Sequence, residues 1–175
     1  MPPKQLKPNL SYGFEKLPKK TDVVLKNGTI WTNEKSGVLT RADIAFSNGK
    51  IVFVGKNIIL SDVFSDTTSV QIIDATEKHI TSGIIDEHSH IAISRGVNES
   101  SQAVTAEVSI EDVINSNDVN IYRQLAGGVT AAQLLHGSAN PIGGQSALVK
   151  MRWGSLAEEM KIKSDVGFIK FALGE

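Results

Sequence analysis

The chain has no cysteine among its 175 residues, which excludes both disulfides and thiolate metal sites. Any metal here must be held by nitrogen and oxygen. Histidine is scarce as well: His79, His88, His90 and His136 are the whole supply. No apolar run approaches the ~20 residues of a membrane span. The opening Met1-Pro2-Pro3-Lys4 lacks the apolar stretch of a secretory signal, so a cytoplasmic location is the default expectation. Neither sign of charge is in excess. A formal net charge of -1 argues against nucleic acid or a membrane surface as the main partner and leaves a small-molecule substrate. What is present is 41% hydrophobic and 21% charged, the profile of a globular protein able to bury a core.

Organisation changes twice along the chain. Residues 1–21 carry Pro2, Pro3, Pro8 and Pro18 among several lysines, with little periodic hydrophobicity, and read as an extended arm or linker. Residues 22–80 read as a β-sandwich-like subdomain. Val23-Val24-Leu25-Lys26 runs into Asn27-Gly28, a favoured hairpin dipeptide, and Thr29-Ile30-Trp31-Thr32 returns. A second hairpin is expected at Asn48-Gly49, with Ile44 and Phe46 alternating against Asp43 and Ala45 on its first strand. Residues 70–74 add a short strand. Apart from His79, too far from the other histidines in sequence to join them, this region carries no site chemistry. Trp31 and Trp153 read as packing residues.

From residue 81 the texture becomes α/β. Gly83-Ile84-Ile85-Asp86-Glu87-His88-Ser89-His90 is an apolar run ending in two histidines one residue apart. In an extended strand positions i and i+2 share a face, so His88 and His90 project together, with Asp86 one step behind. Two imidazoles on one stiff strand are either half of a metal site or two histidines that fell there by chance, one paired and one solvated. Asp86 is expected to orient a ligand or satisfy backbone groups. A helix is expected after Ser109 as N-cap, with Glu111 and Asp112 in its first turn and Gly127-Gly128 at its end. Residues 129–135 then read as a buried strand, completing a βαβ unit. His136 opens the Gly-rich loop that follows; it either contacts substrate or bonds to nearby backbone. Gly143-Gly144 lacks the spacing and the Lys-Ser/Thr of a P-loop. In the last strand Ile169, Phe171 and Leu173 share one face, leaving Lys170 on the other.

The Asn-Gly dipeptides, Asp74-Ala75-Thr76 and Gly83-Ile84-Ile85-Asp86-x-His88-x-His90 together resemble the metal-dependent amidohydrolase superfamily, in its imidazolonepropionase-like branch, and residues 135–146 and 169–175 resemble segments of a poorly characterised subgroup of these hydrolases. The resemblance covers about residues 22–175 and departs at Ser82, where the family usually has proline. It implies a small N-terminal β-sandwich followed by a (β/α)8 TIM-type barrel, here cut off within residues 81–175. His88 and His90 would bind a divalent metal, zinc first, as one or two ions at the C-terminal mouth of the barrel. The metal would activate water for attack on a C–N bond of a cyclic amide, cyclic imine or peptide-like substrate. Only neutral imidazole ligates, so affinity should fall in acid.

The resemblance also implies what is missing. Family members draw further histidines from the fifth and sixth strands and an aspartate general base from the eighth, yet no histidine follows His136. A full barrel needs roughly 200 residues or more, against residues 81–175 here. The catalytic base is therefore expected beyond Glu175, with the chain an inactive N-terminal portion of a parent enzyme that forms a homo-oligomer. Lys170, as a carboxylated bridge, or Glu175, as an early-strand ligand, would serve a second ion. The alternative is a relative that has lost its metal and works as a scaffold or assembly protein.

Overall fold

The computed structural model describes residues 6–173, and in it the two Asn-Gly dipeptides behave differently. At Asn27 the backbone takes a left-handed φ of 63°, but Gly28 does not follow it. A two-residue hairpin turn of the favoured type needs both residues left-handed. The chain therefore bulges and runs on: β1 spans Val23–Trp31 unbroken, with its register shifted between Leu25 and Gly28. The expected first hairpin is thus a bulged strand. Gly28 serves there as a close approach, because an added Cβ would lie 2.6 Å from the Ile80 side chain.

At Asn48-Gly49 both residues are left-handed, at 52° and 76°. The expected hairpin forms, joining β2 (Val38–Ser47) to β3 (Lys50–Gly55). A single turn, α1 (Leu60–Val63), precedes β4 (Gln71–Asp74) and β5 (His79–Ile80), both of which pair with β1 in parallel. The sheet order is β3-β2-β1-β4, with β5 also on β1. Val24 and Ala45 are buried beneath Ile58 and Phe64, so loop and helix residues cover that part of the sheet. β2 departs from the expected alternation. Ala42, Asp43, Ile44 and Ala45 are all buried, since both faces of the strand are covered there.

These elements belong to one compact unit, Pro18–Ser82; residues 6–17 and 83–173 form another. In the second unit β6 (Ile84–Ser89) pairs in parallel with β7 (Val129–Leu134). The crossover between them is the expected βαβ unit, but its helix is broken. Ser109 does cap, its hydroxyl accepting the Glu111 N–H, yet only a 3-10 turn follows over Ile110–Val113. Asn115 bonds to the N–H of Asn117, and Asp118 restarts the chain as α2 (Val119–Ala126) by accepting from Asn120. Such side chains compete with helical backbone bonds, which is why the Asn-Ser-Asn stretch divides the helix.

β8 (Ile142–Gln145), β9 (Ala147–Lys150), α3 (Ala157–Met160) and β10 (Ile169–Phe171) complete the unit. β9 lies antiparallel on the far side of β7, and β8 pairs with β10 in a separate two-stranded sheet. The core gathers Ile121, Leu134, Val149 and Met160, each with essentially no exposed surface. The expected arm is, over residues 6–17, part of this unit. Tyr12 stacks on Tyr122 with ring centroids 4.6 Å apart, and its carbonyl accepts the Trp153 indole N–H at 2.8 Å. Phe14 packs against the core. The aromatics, more than the prolines, decided where this segment goes. Among the described residues no helix is long and apolar enough to cross a membrane.

Candidate metal centre

β6 ends in the feature that matters. Its Ser89 is buried while His88 and His90 are exposed on the opposite side, as a two-residue period demands. The strand proper stops at Ser89, and His90 is the first residue beyond it. The two rings meet edge to face, with centroids 5.1 Å apart and Nε2 atoms 3.3 Å apart. His90 is oriented from behind: its Nδ1 lies 2.9 Å from the Leu135 carbonyl oxygen. A carbonyl can only accept, so Nδ1 carries the proton and Nε2 keeps its lone pair on the side facing His88. Asp86 turns back on its own strand and accepts the His88 N–H at 3.2 Å. It satisfies backbone, one of the two uses expected for it.

Two nitrogens converging at this distance are what a tetrahedral ion asks of neighbouring ligands. Metal–nitrogen bonds of ~2.0–2.1 Å at a tetrahedral angle separate two nitrogens by ~3.3–3.4 Å. Without an ion the same spacing admits a long hydrogen bond from His88 Nε2–H to His90 Nε2. The donor set fits half of a nitrogen-rich site. Among the described residues no group of three or more His, Cys, Asp or Glu is placed to hold a metal ion.

The remaining candidates lie elsewhere. Lys170 is half-buried on β10, in the two-stranded sheet with β8 and not in the sheet whose β6 leads into the histidine pair. The antiparallel pairing of β10 with β8 keeps it out of the β6–β7 sheet. Glu175 lies outside the described residues. His136 is 1% exposed and has both ring nitrogens engaged: Nε2 accepts the Glu99 N–H at 2.8 Å and Nδ1 donates to the Gly137 carbonyl at 2.9 Å. Of the two uses read for it, backbone bonding is the one seen. Its ring does form part of the wall of a cavity of about 520 Å³ shared with Arg95, Glu99, Glu107 and Asp112. The glycine at 143 is required there, because a Cβ would stand 2.6 Å from His136 Nδ1.

Sequence reasoning missed the Leu135 carbonyl and the Glu99 amide, since backbone partners leave no side-chain signature. Glu99 itself is exposed. Its carboxyl is held below the usual range by the Ser101 hydroxyl and N–H, with the nearby His136 a smaller contributor.

No protein-family model matches the chain. Known proteins do. The amidohydrolase tasK of Hapsidospora irregularis is 32% identical over 148 residues, 73% of this chain and 15% of that protein. An adenine deaminase of Listeria innocua is 42% identical over 72 residues, 41% of this chain and 11% of its own length. Among solved structures, an amidohydrolase from Thermotoga maritima superimposes with a TM-score of 0.71 at 36% identity, over 87% of this chain and 39% of that one. The chain thus spans well under half of each of these relatives. With most of its length aligned in both sequence and structure, the chain belongs to the amidohydrolase superfamily.

Proposed function

We propose that this chain is the metal-holding opening of a hydrolase that cleaves a C–N bond, with β6 as the first strand of a (β/α)8 barrel and His88 and His90 at its mouth. The observation that carries the proposal is the 3.3 Å approach of the two Nε2 atoms, with His90 set in the ligating tautomer by Leu135. Relatives named amidohydrolase, adenine deaminase and dihydroorotase support C–N chemistry. His88 and His90 would hold a divalent ion, zinc in the first instance, which would supply Lewis acidity toward water and the substrate carbon.

The chain's own residues do the positioning. β6 holds the His88 and His90 rings on one side; Ser89 anchors the strand end in the interior; Asp86 fixes the His88 amide. Further ligands and the proton-transferring base have to come from outside the described residues, and the substrate is a cyclic amide, cyclic imine or peptide-like molecule. Lys170 lies on β10, which pairs with β8 and not with β6 or β7, so a single ion on the histidine pair is the proposal.

Zinc binding by the 175-residue chain tests it, measured by competition with a chromophoric chelator. Wild type is expected to bind at least tenfold more tightly than the double variant His88→Ala/His90→Ala. Equal binding by both overturns the metal reading and favours the scaffold alternative. Robust zinc-dependent hydrolysis of a dihydropyrimidine or dipeptide by this chain alone overturns the need for further ligands.

A further inference from the structure

His136 has no access to the histidine pair through its own ring nitrogens, both of which are engaged. It nonetheless adjoins the atom that orients His90. Three consecutive residues after β7 are tied in turn. Leu135 donates its N–H to the Ser89 carbonyl at 2.9 Å and accepts from His90 Nδ1, also at 2.9 Å. His136 accepts the Glu99 N–H on Nε2. Gly137 donates its N–H to the Val97 carbonyl at 2.8 Å. The peptide carrying the Leu135 carbonyl is the 135–136 peptide, so a displacement of His136 moves that oxygen directly.

We propose that His136 is a positioning residue for the metal site: it clamps the end of β7 to the 97–99 loop, and so aims the Leu135 carbonyl at His90 Nδ1. This deepens the metal reading above and rests on it for function, but the clamp itself is a property of the metal-free chain. Three features make the ring suited to the task. It is buried, so its bonds do not compete with water. It spans from residue 136 to residue 99 with one rigid plane. Gly143 leaves room for that plane where any Cβ would push it aside. The consequence is chemical: a carbonyl at Nδ1 selects the imidazole tautomer whose Nε2 is free to ligate.

The test reads tautomers, which an effect on stability alone would not move. In the metal-free chain with ¹⁵N-labelled histidine, long-range ¹H–¹⁵N correlation spectra at pH 8 are expected to show His90 and His136 as Nδ1–H tautomers. A predominantly Nε2–H His90 overturns the proposal. In His136→Ala the His90 signal should shift to a mixture of tautomers and zinc affinity should fall about tenfold or more. In His136→Gln, whose Oε1 can take the Glu99 N–H, both should return most of the way to wild type. An unchanged His90 tautomer in a folded His136→Ala chain assigns His136 to the loop alone and overturns the clamp. Should His136→Ala not fold, Gly143→Ala displaces the same ring by a methyl group and is read identically. Unfolding of all three variants reduces His136 to a stability role and also overturns it. If the wild-type tautomers are as expected but zinc does not bind, the metal reading fails while the clamp stands.

Discussion

The two units place their buried polar groups differently. Among the described residues, Pro18–Ser82 buries one such side chain, Asp43, whose two oxygens accept the N–H groups of Asn27 and Ile58. The bond to Asn27 holds the β1 bulge, and the bond to Ile58 pins the chain entering α1. All of that polarity serves backbone inside the unit. The other unit buries Ser89, Thr105, His136 and Asn140. Ser89 ends β6 between His88 and His90, and His136 follows Leu135, whose carbonyl meets His90. Interior polarity holds backbone in both units, and only in the second does it also border the candidate site.

The largest effect should come from the core of the site-bearing unit. Leu134 is fully buried on β7, one residue before the carbonyl that orients His90. Leu134→Ala should destabilise this unit by about 2–5 kcal/mol, read from urea unfolding followed by Trp153 fluorescence. The cavity lies next to the Leu135 peptide, so zinc affinity should fall with it. Stability lost while zinc binding stays at the wild-type level would separate the core from the site and undo the contrast.

Asp43→Ala should cost about 2–3 kcal/mol, because it leaves two N–H groups without their acceptor in a buried setting. Here zinc binding should be unchanged. Amide hydrogen exchange would localise the loss: faster exchange at Asn27 and Ile58, none at residues 84–90. Asp43→Asn keeps one acceptor oxygen and should lose less.

How far the sequence disclosed these differences depends on the scale of the interaction. Periodicity of two put His88 and His90 on one side of a strand, and the strand–helix–strand order around them was legible. Asn48-Gly49 was readable as a hairpin because local backbone preference and the sheet agree there. Asn27-Gly28 was not, because its outcome is set by residues far away in sequence: Asp43 captures the Asn27 amide and Ile80 crosses Gly28. Asp43 looked like the outward partner of Ile44, and nothing in a period of two signals a strand covered on both faces. Residues 6–17 were read by their prolines and lysines, whereas Tyr12 and Phe14 determine their packing. Lys170 alternates with Ile169 and Phe171, but those two are exposed rather than packed under helices, and the choice of β8 as partner for that strand is a long-range pairing that no local pattern encodes.

A smaller effect sharpens the same contrast at two exposed turns of similar design. In Pro18–Ser82 the Asp74 carboxylate accepts both the hydroxyl of Thr76, at 2.6 Å, and its N–H, at 3.0 Å. The hydroxyl is the main reason the Asp74 carboxyl sits below the usual range. In the other unit Ser101 serves Glu99 in the same way, with His136 adding a further small lowering. Both groups are depressed in the folded state. Whatever stability they contribute is therefore present above the unfolded carboxylate value, about 4, and is lost as pH falls through the lower folded value. Thr76→Ala should raise the Asp74 titration only part of the way, because the backbone donor remains. His136→Gln should leave Asp74 unmoved and raise Glu99 slightly. Carboxyl ¹³C titrations between pH 2 and 6 follow each group separately. A shift at Asp74 in His136→Gln would mean that the two units are coupled electrostatically, and that the polarity bordering the site does not act within one unit alone.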